Sequence, residues 1–273
     1  MAATTLRHPA VAGRFYPRDP EELRAEVRSY TSHAPGKAPV RSFGCIVPHA
    51  GYIYSGHVAG AVFARVEIPE CCVVLCPNHT GMGRALAIMS EGEWETPLGA
   101  VPIDGTLAAA LKQACPLLQE DAAAHRAEHA IEVELPFLQV RQPKLQFVPI
   151  ALGTQLFEPL EQLGLALADA IMARKRPTLI VASSDMNHYE SDALTRVKDG
   201  RAIERILALD ARGLHEVVTQ QDVSMCGFGP AIVTITAAKK LGAGSAELVK
   251  YATSGDISGD RQLVVGYAGV LFQ

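Results

Sequence analysis

The sequence predicts an α/β fold, a single domain over residues 1–273 with a largely parallel central sheet flanked by helices. From about residue 42 onward, short apolar runs of strand length alternate with helix-length patterns, as in successive βαβ units with both sheet faces covered. The 273 residues are 48% hydrophobic and 20% charged, enough apolar material for one sizeable core. Several of the apolar runs end in similar polar, histidine-bearing segments.

Residues 1–40 read as an N-terminal arm that packs on the α/β core. Asp19 is an N-cap for a helix over Pro20–Tyr30, with Glu21 and Glu22 in the first turn, where carboxylates meet the positive helix end. Pro35, Gly36 and Pro39 make Ser32–Pro39 a linker. The strands expected next are Phe43–Val47, Cys71–Cys76, Ala85–Met89, Gln146–Ala151, Thr178–Ala182, Leu248–Ala252 and Leu263–Leu271. Gly266 and Gly269 in the last of these indicate a bend or a close backbone approach. Leu160, Leu163, Leu167 and Ile171 recur three or four apart and give an amphipathic helix over Glu158–Arg174, closed by Pro177; Leu194–Leu209 is another. Trp94, between Glu93 and Glu95, reads as a hairpin or loop anchor.

Composition narrows the function classes. A formal net charge of −4 leaves no basic footprint for a nucleic acid partner. No apolar run approaches the roughly 18 residues of a membrane-spanning helix, so no membrane partner is expected. Arg7, His8, Arg14 and two prolines interrupt the region where a signal peptide needs an apolar stretch, and Cys45, Cys71, Cys72 and Cys76 sit in or beside strand-like runs as buried reduced thiols would. A cytoplasmic location is the expectation.

Three strands run into polar segments at their C-terminal ends: Pro48-His49-Ala50-Gly51-Tyr52 after the first, Pro77-Asn78-His79 after the second, and Ser183-Ser184-Asp185-Met186-Asn187-His188 after Thr178–Ala182. In an open parallel sheet those ends share one crevice, so His49, His79 and His188 are expected to converge with Asp185 beside them. Cys226 lies in Cys226-Gly227-Phe228-Gly229-Pro230, just before a helix expected near Pro230, where a helix end lowers a thiol pKa; it reads as a ligand, a nucleophile, or a space-filling residue of a Gly-rich turn. Imidazole with thiolate suits iron, zinc or copper rather than magnesium or calcium. Tyr52 reads either as a ligand-orienting group or as a packing residue with a satisfied hydroxyl. His125-Arg126-Ala127-Glu128-His129 matches the H-x-x-E-H zinc-hydrolase spacing, although the apolar period of Ile131, Leu135 and Leu138 starts only after it. The preferred reading takes His129, with Glu132 or Glu134, into the common crevice as a substrate or supporting group.

Seven blocks in order carry a resemblance: Val11-Ala12-Gly13-Arg14-Phe15-Tyr16-Pro17, Pro48-His49-Ala50-Gly51-Tyr52, Pro77-Asn78-His79, Glu128-His129-Ala130-Ile131-Glu132, Ser183-Ser184-Asp185-Met186-Asn187-His188-Tyr189, Met225-Cys226-Gly227 and Tyr251-Ala252-Thr253-Ser254-Gly255-Asp256. Across nearly the whole chain they resemble the Memo family, which in prokaryotes includes protein B of the AmmeMemoRadiSam system. The resemblance implies a fold similar to class III extradiol dioxygenase catalytic subunits, which hold non-haem iron with two His and one Glu. It implies His49 and His79 as metal ligands, Cys226 at the carboxylate position and His188 as acid/base; Asp185 is expected in addition to orient a neighbouring His. One redox-type metal is implied, iron foremost, with copper or zinc as others, together with a small-molecule or peptide ligand in the crevice and a functional link to a radical-SAM protein. Thiolate in place of carboxylate is softer and oxidisable, which predicts little ring cleavage. The alternatives are a non-catalytic metal-binding or peptide-docking module and the H-x-x-E-H hydrolase.

Overall fold

The computed structural model describes residues 5–32 and 38–273, so most of the expected linker lies outside the described residues. In chain order the elements are β1 (Leu6–Arg7), α1 (Pro20–Thr31), β2 (Gly44–Val47), α2 (Tyr52–Arg65), β3 (Cys71–Pro77), β4 (Leu86–Ile88), β5 (Glu93–Thr96), β6 (Gly99–Pro102), α3 (Gly105–Ala114), β7 (Gln119–Glu120), α4 (Leu135–Arg141), β8 (Gln146–Leu152), α5 (Phe157–Arg174), β9 (Leu179–Ser183), β10 (His188–Glu190), α6 (Asp192–Leu207), α7 (Ala211–Gln220), α8 (Phe228–Leu241), β11 (Ala246–Thr253), α9 (Gly255–Ser258) and β12 (Val264–Phe272). The large sheet runs β10-β12-β2-β9-β3-β8-β4-β7, with β11 on the other side of β12; β1, β5 and β6 form a small second sheet.

Parallel pairing holds at the centre, where β2, β9, β3 and β8 lie side by side. The flanks are antiparallel: β12 against β2, β11 and β10, and β4 against β8. The sheet is therefore mixed rather than largely parallel. The connections over 78–85 and 254–263 contain no crossover helix of the length that a parallel return requires.

Period-2 alternation divides each central strand between two apolar layers. Cys71, Val73 and Leu75 of β3 face a layer with Leu160, Leu163, Leu167 and Ile171 of α5 and Ile232 and Ile235 of α8. Cys72, Val74 and Cys76 face the opposite layer, with Leu23 and Val27 of α1, Phe63 of α2 and Phe137 of α4. Each such fully buried Leu, Ile or Phe contributes on the order of 1.5–3 kcal/mol through removal from water. All six cysteines are free. Asp19 caps α1 by accepting from the Glu21 and Glu22 amides at 2.9 and 3.0 Å. In β12 the backbone does run close to its neighbours: a Cβ at Gly266 would meet Asp199 Oδ2 at 1.8 Å, and one at Gly269 would meet Val62 at 2.4 Å. Trp94 is buried in β5, beneath the Arg7 guanidinium at 4.3 Å from its ring centroid. Among the described residues no helix is long and apolar enough to cross a membrane.

Candidate metal centre

The parallel centre brings the C-terminal ends of β2, β3 and β9 to one edge, and the chain after each carries His49, His79 and Asp185 into a cleft of about 510 Å³. His129, Phe15, His188, Tyr189, Ser224 and Cys226 line the same cleft. A larger recess, about 750 Å³, lies at the opposite end of these strands around Phe43, Glu70 and Thr178; among the described residues it gathers no histidine or cysteine. Donor chemistry, not size, therefore marks the site.

One donor atom from each of His49, His79 and His129 can be chosen so that all lie within 4.8 Å of one another. Ring centroids are 5.1 Å apart for His49–His79, 5.4 Å for His49–His129 and 4.8 Å for His79–His129. Cys226 Sγ is 3.4 Å from His49 Nε2. Two donors at ordinary zinc–nitrogen and zinc–sulfur distances on a tetrahedral ion stand roughly 3.6 Å apart, so the sulfur is placed as a co-ligand of His49 would be.

Three of the four imidazoles in the cleft have Nδ1 hydrogen-bonded from behind, and the fourth, His129, has Nδ1 within ion-pair distance of a carboxylate. His49 Nδ1 is 2.9 Å from Ser183 Oγ, His79 Nδ1 is 2.9 Å from Glu128 Oε1, and His188 Nδ1 is 2.9 Å from the Ser224 carbonyl. His129 Nδ1 lies 3.4 Å from the same Glu128 oxygen. Such partners fix the ring and the tautomer and leave Nε2 as the donor toward the cleft. Glu128 is fully buried and also accepts the backbone amides of His79, His129 and Ala130, at 2.6, 2.9 and 3.0 Å. Burial opposes its charge, but these hydrogen bonds, with His79 first, hold its pKa below the usual carboxyl value.

The electrostatics favour neutral imidazoles on three of the four. Burial, with the neighbouring histidines, lowers His49 well below its ordinary value, and burial lowers His129 and His188. Burial also pulls on His79, yet the hydrogen bond and charge of Glu128 raise it overall. Asp185 is buried and pushed up to about 7, although it accepts the backbone amides of His49, at 2.8 Å, and of Ala50. It thus fixes the β2–α2 backbone rather than an imidazole, unlike the expected contact with a neighbouring His ring. Cys226 departs from its expectation too: burial, with the Asp185 charge second, pushes the thiol pKa up, and this outweighs the nearby start of α8. In the metal-free protein it is a thiol, able to donate to His49 Nε2.

Other sequence-predicted positions fall elsewhere. Tyr52 does not line the cleft; it is buried in the first turn of α2 with its hydroxyl donating to the Val133 carbonyl at 2.7 Å, the packing alternative of the two readings. Residues 122–134 form turns rather than a helix, so His125 and His129 do not stand one helical turn apart on a shared face. His125 is fully buried against Trp94, with ring centroids 5.7 Å apart, and burial lowers its pKa to about 4. His129, expected as a substrate group, stands instead among the candidate donors. Glu132 binds the arm, accepting from the Ala10 and Val11 amides at 2.7 and 2.9 Å, from the Tyr16 hydroxyl at 2.7 Å and from Arg7. The orienting residues Glu128, Ser183 and Ser224 were not assigned these roles from sequence, although all three stand in or beside the histidine- and cysteine-bearing blocks.

Residues 7–271 match the sequence profile of a family described as Memo-like protein. A MEMO1 family protein of Methanopyrus kandleri, MK0963, is 46% identical over 98% of this chain and 99% of its own length. A second, MTH_45 of Methanothermobacter thermautotrophicus, is 42% identical over 96% and 99%. Among solved structures, an uncharacterised protein of Escherichia coli K12, JW3007, aligns with a TM-score of 0.54 at 14% identity, covering 83% of this chain and 99% of that one, a likeness of fold.

Proposed function

This chain belongs to the Memo family, and from that premise we propose that it is a metal-binding protein whose cleft holds one transition-metal ion through His49, His79 and Cys226, with His129 beside them. What supports this reading is that His49, His79 and His188, which reach the cleft from separate segments, have Nδ1 hydrogen-bonded and Nε2 left free to act as donor, with His49 Nε2 beside the Cys226 sulfur. Nitrogen with sulfur suits iron, copper or zinc, and the family's kinship with iron dioxygenases puts iron foremost. A bound redox metal would supply one-electron and Lewis-acid chemistry. Cys226 gives up its proton when it becomes a ligand. His188, with Nδ1 tied to Ser224, accepts or returns a proton at Nε2, and Asp185 holds the His49 loop in place. Phe15 and His129, in edge contact at 4.9 Å, form one wall for a small-molecule or peptide ligand. The free thiols suit a reducing cytoplasm, and the family implies a working link to a radical-SAM protein.

Metal content and oxidation state of protein purified without affinity tag or added metal test the reading. His49→Ala, His79→Ala and Cys226→Ser should each weaken binding by more than the roughly 10–100-fold expected for a residue that merely orients a ligand. His129→Ala decides whether that ring coordinates or only contacts the ligand. Wild-type metal content in all of the first three variants would remove the site. Turnover of oxygen or peroxide by loaded protein separates a redox enzyme from a non-catalytic metal-binding or docking module.

A further inference from the structure

Glu134 takes no part in that scheme. It lies just before α4, 1% exposed, with Oε1 2.8 Å from Ser183 Oγ and Oε2 without a hydrogen-bond partner. The same Ser183 oxygen stands 2.8 Å from the Ala130 carbonyl and 2.9 Å from His49 Nδ1. A hydroxyl has one hydrogen and two acceptor lone pairs. The Ala130 carbonyl can only accept, so it takes the Ser183 hydrogen. Both remaining contacts must then be donated to Ser183, one by His49 Nδ1–H and one by a proton on Glu134.

An ionised Glu134 breaks this arrangement. It would claim the Ser183 hydrogen, oppose two oxygen lone pairs at the Ala130 carbonyl, and bury a negative charge whose charged neighbour, Asp185, is another acid. We propose that Glu134 is an un-ionised carboxylic acid that positions His49 through Ser183, keeping the imidazole proton on Nδ1 and the Nε2 lone pair turned into the cleft. Burial, which pushes the Glu134 pKa well above the ordinary value, points the same way. The functional consequence rests on His49 being a metal ligand; the proton assignment does not. Glu134 is a positioning residue, one serine removed from the site.

The test uses full-length, metal-free protein. An infrared difference spectrum between wild type and Glu134→Gln at neutral pH reads the carbonyl stretch of an un-ionised carboxyl, and ¹⁵N NMR of the imidazoles, assigned with His49→Ala, reads the His49 tautomer. The acid band should be present in wild type and lost in E134Q, with His49 protonated on Nδ1 in both, because the glutamine amide donates to Ser183 in the same way. E134Q should keep wild-type Zn(II) affinity, whereas Glu134→Ala should mix the tautomers and weaken Zn(II) binding about 10-fold. Absence of the band in wild type, a wild-type His49 protonated on Nε2, or E134Q as impaired as E134A would each overturn the assignment. If His49→Ala keeps its Zn(II) while band and tautomer are as expected, the Glu134 assignment stands and the metal reading falls.

Discussion

Two residues outside the donor set show what burial does to a titrating group here. Asp199 of α6 is fully buried, accepts the Asn187 amide at 2.8 Å and the Tyr251 hydroxyl at 2.7 Å, and is nevertheless pushed up by burial from 3.8 to about 6. A carboxyl raised in the fold stabilises it fully below about pH 3.8, and that stability is lost as pH rises through about 6. The rise corresponds to about 3 kcal/mol. Asp199→Asn, whose amide can donate to Tyr251, should therefore gain about that much relative to wild type between pH 4 and 6, read from urea unfolding across the range; parallel curves would exclude the assignment. His125 carries the second prediction. His125→Ala should leave metal stoichiometry unchanged, since that ring packs on Trp94 away from the cleft, while costing about 2–4 kcal/mol in lost packing. Loss of metal in that variant, with His49→Ala silent, would restore the hydrolase reading.

The arm that begins with β1 depends on one carboxylate. Glu132 satisfies two backbone amides, Tyr16 and Arg7 at once, and this places Phe15 on the cleft wall. Glu132→Gln sets an amide against these donors and leaves the buried Arg7 without its counter-charge, a loss of about 3–5 kcal/mol. Thermal unfolding should register it, and trypsin should cut earlier at the exposed Arg14 and Arg18; an arm as resistant as in wild type would refute the link. Elements were legible in proportion to how one-sided they are. Strands β2, β3, β8 and β9 and the striped helix α5 stood out, whereas α2 and α8 are buried nearly all round and α4 is short, so none has a clear polar stripe to mark its period. In the site, histidines at strand ends were legible because topology alone makes them converge. Glu128 was obscured by the H-x-x-E-H spacing, in which it reads as a general base, and Ser183 and Ser224 act through geometry that residue type does not announce.

At the scale of the whole molecule, candidate donor residues from four separate segments line one cleft at one end of a mixed sheet, and one of them is a thiol. With iron(II) loaded anaerobically and catechol or protocatechuate added before oxygen, little or no ring-opened product should form, because Cys226 competes for oxidation along the sulfenic and sulfinic ladder. Absorbance of the coloured product and mass spectrometry of the Cys226 peptide read the outcome; repeated turnover with Cys226 unmodified would make the protein a true ring-cleaving dioxygenase. The place of β12 has a further consequence. It follows every strand it pairs with in chain order, yet it sits between β11 on one side and β2 and β10 on the other, and its Gly266 exchanges backbone hydrogen bonds with the Met186–Asn187 loop. On the ribosome, His49 and His79 emerge long before the strand that closes the sheet around them. The nascent chain can gather its histidines, but the loop that aims His188 has no seam to rest on until β12 has left the exit tunnel, so the complete cleft cannot assemble in the order in which its residues are made.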